Sequence, residues 1–200
     1  MDDAQLREQR HAARMARKKA HIDARIAEAD LDTGVMLLLT GNGKGKSSSA
    51  FGMVARAIGH GMKVGVVQFI KSRTDTGEEA FLGRHCEWHV MGDGFTWDTQ
   101  NREGDTRKAE EAWAVARRML GDPSYALVVL DELTYCLSYG YLDRQQVIAD
   151  LDGRPEMQHV VVTGRAAIPE LHEIADTVSL IENEKHAFQS GIRAQQGLEW

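Results

Sequence analysis

Cysteine is scarce in this sequence. The chain has 200 residues and two cysteines, Cys86 and Cys136, which lie far apart. Neither belongs to a closely spaced pair of the kind that binds zinc, so the sequence argues against a zinc site. Two isolated thiols are typical of proteins in a reducing compartment. We therefore expect a cytoplasmic protein.

Long hydrophobic runs are also missing. No stretch approaches the roughly 20 consecutive apolar residues that a membrane-spanning helix requires. The basic residues near the N-terminus are not followed by the apolar segment of a secretory signal. These two observations predict a protein without a membrane as partner.

The chain has no excess of positive charge. Its 24 Lys and Arg residues are outnumbered by 30 Asp and Glu, which gives a formal net charge of -6. General nucleic-acid binders are usually basic, so this balance argues against nucleic acid as a partner. It still allows a local basic site for phosphates. The length suits one domain with a substantial core.

Residues 1–30 differ from the rest because they contain neither glycine nor proline. They are rich in alanine, arginine and lysine, which favour helix. The apolar positions are too sparse for a core-facing stripe. We therefore predict an N-terminal helical arm at residues 1–30, separate from a domain at 31–200. The arm is either a solvated helix or a basic lid over an anionic ligand.

Beyond residue 34, short apolar runs alternate with segments of helical periodicity. Strands are predicted at 35–39, 63–70, 87–91, 126–130, 159–163 and 177–181, and helices at 47–58, 106–120, 143–151 and 169–175. Short runs without polar residues are typical of strands buried on both faces. The alternation predicts right-handed crossovers and an α/β fold, with a parallel sheet covered by helices on both faces.

A glycine-rich segment joins the first strand to the first helix. Residues 40–48 read Thr-Gly-Asn-Gly-Lys-Gly-Lys-Ser-Ser. Glycine permits positive φ and a close approach of backbone to ligand, and successive N–H groups at a helix N-terminus bind anions. We expect Lys46 to reach phosphate oxygens and Ser47 to bind a magnesium ion. The predicted ATP contacts in the loop are Gly41, Asn42, Gly43, Lys44, Gly45, Lys46, Ser47 and Ser48.

This loop is one residue shorter than the standard phosphate-binding loop. The pattern G-x-x-x-x-G-K-[ST], aligned on residues 45–47, places its first glycine at Thr40, whereas the nearest glycine is Gly41. Loop length determines where each phosphate lies. The sequence therefore predicts a P-loop protein with an altered phosphate position.

Two acids, Asp131 and Glu132, follow the predicted strand 126–130. Ligands of parallel sheets bind at the carboxyl ends of strands, so these acids are expected near the loop. Together with Ser47 they are candidate magnesium ligands. A carboxylate here could instead activate water, which leaves an ATPase or a small-molecule kinase as an alternative function.

Several segments together resemble the bacterial ATP:cob(I)alamin adenosyltransferases, also called corrinoid adenosyltransferases, over roughly residues 35–200. The segments are residues 40–47, 50–52 (Ala-Phe-Gly), 56–57 (Arg-Ala), 59–61 (Gly-His-Gly), 66–71 (Val-Val-Gln-Phe-Ile-Lys), 94–97 (Gly-Phe-Thr-Trp), 130–133 (Leu-Asp-Glu-Leu), 163–165 (Thr-Gly-Arg), 185–188 (Lys-His-Ala-Phe) and 191–195 (Gly-Ile-Arg-Ala-Gln). One departure is Ser47-Ser48, where the family usually has two threonines.

The resemblance implies a reaction in which ATP donates its 5′-deoxyadenosyl group to the cobalt of a reduced corrinoid and triphosphate leaves. It implies ATP and Mg²⁺ as cofactors, a reversed orientation of ATP in the loop, and an ATP contact from Arg56. It assigns catalytic roles to Lys46, Phe95 and Trp97; the two aromatic residues displace the lower axial base of cobalt(II) corrinoid and so ease its reduction.

The resemblance also implies partners. These are the corrinoid, a reductase that supplies electrons, and a second copy in a homodimer. It further implies that the N-terminal helix covers the corrinoid. A binding module that holds nucleotide and corrinoid without chemistry stays open as a third interpretation.

Overall fold

A computed structural model describes residues 3–92 and 101–200 of the chain. The chain divides into two compact units, Met1–Asp32 and Thr33–Trp200. The first unit contains one helix, α1 (Asp3–Glu28), whose described side chains are exposed to solvent. The predicted helix in the arm is confirmed. In the described ranges, no helix has both the length and the apolar character needed to span a bilayer.

The second unit is built on a six-stranded sheet. Its strands are β1 (Met36–Thr40), β2 (Val64–Gln68), β3 (Glu87–Val90), β4 (Leu127–Asp131), β5 (His159–Thr163) and β6 (Thr177–Leu180). Their order across the sheet is β3-β2-β4-β5-β1-β6, and every neighbouring pair is parallel. The predicted parallel sheet is therefore confirmed. The bounds of β5 are as predicted, and the bounds of the other strands differ from the prediction by at most two residues.

Helices connect the strands. They are α2 (Lys46–Gly59), α3 (Gly77–Leu82), α4 (Arg102–Leu120), α5 (Leu133–Ser138), α6 (Arg144–Asp152) and α7 (Pro169–Ile174), with a 3₁₀ turn at Ala187–Ser190. Helix α4 begins four residues before the predicted start, where the Asn101 side chain accepts a hydrogen bond from the backbone N–H of Gly104. The short helices α3 and α5 were not predicted, because six residues are too few to show helical periodicity.

Apolar side chains cover the sheet on both faces. On one face, Val54 of α2 and Leu82 of α3 pack with alternate residues of the central strands, such as Val129 of β4. On the other face, Trp113 of α4 and helices α5, α6 and α7 pack on the intervening residues, such as Leu130. This two-sided cover explains why the central strands read as continuous apolar runs.

The carboxyl ends of four strands meet at one edge of the sheet. Register pairs Gln68 at the end of β2 with Asp131 at the end of β4, and Leu130 with Val162 of β5. Strand β1 ends beside β5 at Thr40, where the glycine-rich loop begins. Parallel pairing thus brings the loop and the acidic pair to the same edge, as the sequence predicts.

Candidate active site

The glycine-rich loop turns sharply between β1 and α2. Gly41 has φ 104° and Gly45 has φ 118°, which confirms positive φ at these two positions. Gly43 is different, since its φ is not positive. A Cβ on Gly43 would lie 2.3 Å from the carbonyl oxygen of Glu182. The backbone N–H of Gly43 donates a hydrogen bond to the carbonyl oxygen of Ile181 at 2.7 Å. Gly43 is therefore required for the close approach of another backbone segment and not for a positive φ.

The N-terminus of α2 opens into a cavity of about 370 Å³. Gly45 provides no side-chain cap for the helix, so the first N–H groups of α2 are available to an anion. Predicted loop contacts from Asn42 to Ser48 line this cavity, together with Lys71, Glu132, Tyr135 and Arg165. The tertiary structure thus gathers positive side chains and helix N–H groups around one space.

Lys46 is the first residue of α2 and is 7% exposed. Its Nζ donates a hydrogen bond to the carbonyl oxygen of Gly43 at 2.6 Å. Burial lowers the pKa of Lys46, and the charges of Arg165 and Lys71 add to this effect, while Glu132 and Asp131 oppose it. Added negative charge in the cavity would therefore stabilise the charged form of Lys46.

Asp131 is completely buried at the end of β4. Its Oδ1 accepts from the Thr163 hydroxyl at 2.7 Å, and its Oδ2 accepts from Gln68 Nε2 at 2.9 Å and from Lys71 Nζ at 2.8 Å. Burial favours the neutral acid. The charge and hydrogen bond of Lys71, together with the hydrogen bonds from Gln68 and Thr163, outweigh this effect, so the pKa of Asp131 lies below its ordinary value. Both carboxylate oxygens are thus already hydrogen-bonded within the protein.

Glu132, the next residue, has a contrasting environment. Its Oε2 is buried and accepts no hydrogen bond from any residue that the structure describes. Burial, helped by the negative charge of Asp131, raises the pKa of Glu132 to about 7. A Cβ on Gly164 would lie 3.3 Å from this oxygen and 2.0 Å from Thr134 Oγ1, so glycine at 164 keeps the space around the carboxylate open.

The two predicted metal ligands that line the cavity are Ser47 and Glu132. Magnesium prefers oxygen ligands and commonly keeps waters and substrate phosphates in its coordination shell. A buried carboxylate oxygen without a partner fits such an ion. Among the described residues, no three His, Cys, Asp or Glu side chains converge to hold a metal. A magnesium ion bound here would take most of its ligands from phosphates and water.

Arg56 is not brought to the loop. It lies in the last turn of α2, is exposed, and lines a separate cavity of about 310 Å³. That cavity also contains Leu127 and His159, which begin β4 and β5. Because these strand starts lie at the opposite edge of the sheet from the loop, the geometry within one chain argues against the predicted ATP contact of Arg56.

Another cavity, also of about 310 Å³ but distinct from the one beside Arg56, adjoins the loop cavity. Phe51 and Trp200 give it an aromatic lining, and the guanidinium of Arg73 lies 4.3 Å from the centre of the Trp200 ring. Lys71, Glu78 and Glu199 line both cavities. Lys71 and Glu199 were not predicted to be site residues, because their contacts join segments that are distant in sequence.

Known proteins match this chain along its whole length. The family model described as ATP:corrinoid adenosyltransferase BtuR/CobO/CobP matches residues 32–200. A corrinoid adenosyltransferase of Pseudomonas aeruginosa is 59% identical over 203 residues, with 100% of both chains covered. One from Escherichia coli K12 is 48% identical over 196 residues, with 98% of this chain and 100% of that protein covered. "Corrinoid adenosyltransferase CobA" of Salmonella typhimurium is 46% identical, with the same coverage.

The chain belongs to the ATP:corrinoid adenosyltransferase family. The family match includes the loop, both acids and Lys71. A second model, described as cob(I)alamin adenosyltransferase N terminal, matches residues 1–26, which contain most of α1. The predicted aromatic pair of this adenosyltransferase, Phe95 and Trp97, lies outside the residues that the structure describes. Its role therefore stays a prediction from the resemblance.

Proposed function

We propose that this protein transfers the 5′-deoxyadenosyl group of ATP to the reduced cobalt of a corrinoid and releases inorganic triphosphate. One observation carries the proposal: the chain matches the adenosyltransferase family over its whole α/β unit. Within that unit the loop, three lysines, one arginine and three glutamates line one cavity. Such a cavity suits a polyphosphate. The shortened loop is compatible with a reversed ATP.

The reaction breaks one bond and forms another. Cobalt(I) supplies an electron pair to C5′ of the ribose, and a cobalt–carbon bond forms. The C5′–O5′ bond breaks, and its electron pair leaves with the triphosphate. No side chain needs to act as nucleophile. The protein must align the two substrates, a contribution of about 7–11 kcal/mol in favourable cases, and stabilise the departing charge.

The charge on the triphosphate is met by residues of the loop cavity. The N–H groups at the start of α2 and the ammonium groups of Lys46 and Lys44 provide donors, and Arg165 adds a further positive charge. Ser47 and Glu132 would hold the magnesium ion, which when bound neutralises phosphate oxygens. Lys46 acts on the leaving group and on no other reactant.

Other parts of the proposal rest on the family resemblance. We include Phe95 and Trp97 as the residues that remove the lower axial base of cobalt(II). We also include α1 as a lid over the corrinoid, a reductase as electron donor, a homodimer, and a cytoplasmic location.

ATP hydrolysis is a second candidate function, favoured by the state of Glu132. An unpartnered carboxylate with a pKa near 7 is suited to accept a proton from water. Hydrolysis would consume ATP without a corrinoid and would give ADP and phosphate.

Product analysis tests the proposal. Purified protein is mixed with ATP, Mg²⁺ and chemically reduced cobalt(I) corrinoid, and the products are separated by ion-exchange chromatography. We expect triphosphate and alkylated corrinoid in equal amounts, and no ATP consumption without corrinoid. ADP and phosphate as the only products would overturn the proposal in favour of hydrolysis. Tight binding of both ligands without any product would indicate a binding module.

A further inference from the structure

The ammonium group of Lys71 lies between Ser47 and Asp131, two of the predicted metal ligands. Its Nζ lies 3.1 Å from Ser47 Oγ and 2.8 Å from Asp131 Oδ2. Lys71 follows β2, which pairs with β4, and Asp131 ends β4. The sheet and the start of α2 together fix this contact, so it is part of the fold and not a chance encounter of surface side chains.

The contact leaves Asp131 poorly suited to bind a metal. Gln68, Thr163 and Lys71 already donate to its two oxygens, and the side chain is fully buried. A magnesium ion needs an oxygen at about 2.0–2.1 Å with room for further ligands, and it would have to displace the Lys71 ammonium. Separating a buried ion pair leaves an uncompensated charge, which is strongly unfavourable. Glu132, in contrast, has a buried oxygen without a described partner.

Lys71 also reaches the substrate cavity. It lines the loop cavity and the adjoining aromatic cavity, and its side chain is 29% exposed. A lysine ammonium has three hydrogens to donate. The hydrogen bonds to Ser47 and Asp131 use two of them, which leaves one direction for an oxygen of a bound ligand.

We propose that Lys71 is a fixed cation of the triphosphate site, which donates to a triphosphate oxygen while it neutralises Asp131, so that Glu132 and not Asp131 holds the magnesium ion. The triphosphate as leaving group is taken from the proposed function. In this arrangement Lys71 is a catalytic residue, because it contacts the departing group. The two neighbouring acids have different roles: Asp131 forms an ion pair with Lys71, and Glu132 binds the magnesium ion.

Binding of inorganic triphosphate without metal tests the first half. Isothermal titration in EDTA compares the wild type with Lys71→Met, Lys71→Arg and the double variant Lys71→Met/Asp131→Asn. The double variant removes both charges of the pair, so it leaves no unpaired buried carboxylate. We expect Lys71→Met and the double variant each to lose about 10- to 150-fold in affinity, the range for hydrogen bonds to charged groups. Lys71→Arg, which keeps the charge, should stay within several-fold of the wild type.

The double variant decides whether Lys71 acts on the ligand or only on Asp131. Wild-type affinity in the double variant would overturn the proposal, since Lys71 would then serve only to neutralise the acid. A loss in Lys71→Arg as large as in Lys71→Met would also count against a charge contact. Thermal unfolding of each variant confirms that binding is measured on folded protein.

Manganese binding tests the second half. Mn²⁺ is titrated into the protein–triphosphate complex and followed by electron paramagnetic resonance. Glu132→Gln should weaken Mn²⁺ binding by about tenfold or more, whereas Lys71→Met/Asp131→Asn, measured at saturating triphosphate, should change it by less than about threefold. An equal loss in both would place the metal on Asp131 and overturn the assignment. Neither titration contains corrinoid or ATP, so both results stand whether the protein adenosylates corrinoids or hydrolyses ATP.

Discussion

Lys44 of the phosphate loop and Glu199 are joined by an ion pair, with Nζ 2.6 Å from Oε2. The two residues are 155 positions apart in sequence, so the pair ties the segment around Glu199 to the rim of the loop cavity. A carboxylate and a triphosphate oxygen are both acceptors for the same ammonium. The glutamate therefore competes with the nucleotide for Lys44.

Replacing Glu199 by glutamine should tighten the binding of inorganic triphosphate. The pair is partly exposed, and such pairs contribute up to about 1 kcal/mol, so we expect a gain of up to about fivefold. Titration calorimetry measures it. Glu111→Gln is a matched control, because Glu111 forms a surface pair with Lys108 on α4, and it should change nothing. Weaker binding in Glu199→Gln would mean that the pair helps to shape the loop.

Replacing Lys46 by alanine should weaken triphosphate binding. Hydrogen bonds to charged groups contribute about 1.5–3 kcal/mol, which corresponds to about 10- to 150-fold in affinity. The same titration measures the loss. Lys108→Ala removes a partly exposed lysine from α4 and serves as the control. An unchanged affinity in Lys46→Ala would exclude a phosphate contact from this side chain.

Glu132 should make the free energy of unfolding depend on pH. In the folded protein its pKa is raised from 4.5 to about 7. Between these values the folded state keeps a proton that the unfolded chain has lost, so stability falls as the pH rises, by up to about 1.4 kcal/mol per pH unit. The contribution of Glu132 is greatest below about pH 4.5 and is lost above about pH 7.

Urea unfolding at several pH values checks this dependence. The wild type is compared with Glu132→Gln, which has no titrating group at this position. Acids that lie far from this site affect both proteins alike, so they cancel in the comparison. The stability difference between the two proteins should shift in favour of the variant from pH 4.5 to 7. A difference that is constant over this range would mean that Glu132 titrates normally.

Replacing Phe95 or Trp97 by alanine should separate the two cobalt oxidation states. Removal of an axial donor destabilises cobalt(II) relative to cobalt(I), so these residues matter when the reaction begins at cobalt(II). We expect ATP binding to be unchanged, and activity to fall more from cobalt(II) than from chemically prepared cobalt(I). Assays from both starting states measure this. Equal losses would assign the aromatic residues to the fold alone.

Deletion of residues 2–25 should leave the α/β unit folded, because the contacts of Thr33–Trp200 form a compact unit of their own. We expect weaker retention of corrinoid, since the resemblance makes α1 a cover for that ligand. Equilibrium dialysis measures corrinoid binding, and circular dichroism checks the fold. Unchanged corrinoid affinity would indicate that α1 is a solvated helix.

Local patterns were sufficient to predict most of the α/β fold. Buried strands such as β4 and β5 appear as apolar runs, because both of their faces are covered by helices. The loop was recognised because its backbone needs glycine at Gly41 and Gly45. Short elements such as α3 and α5 were missed, since one or two turns give no period to detect.

Tertiary contacts decided the roles of side chains within the candidate site. Asp131 and Glu132 are adjacent in sequence and were interpreted alike. Three donors from other elements surround the carboxylate of Asp131, whereas Oε2 of Glu132 is buried and accepts no hydrogen bond from a described residue. Lys71 lies at the site only because strand β2, which precedes it, pairs with β4.

The sequence by itself determined that the chain builds a parallel sheet with a phosphate loop at a strand end, because hydrophobic periodicity and glycine positions are local properties. The tertiary structure alone decided that Oε2 of Glu132 lacks a hydrogen-bond partner among the described residues, that Lys71 neutralises Asp131, and that Arg56 lies at the far edge of the sheet. Charge and hydrogen bonding at a site depend on which distant segments meet there. That meeting is set by strand order and register, which local sequence does not encode.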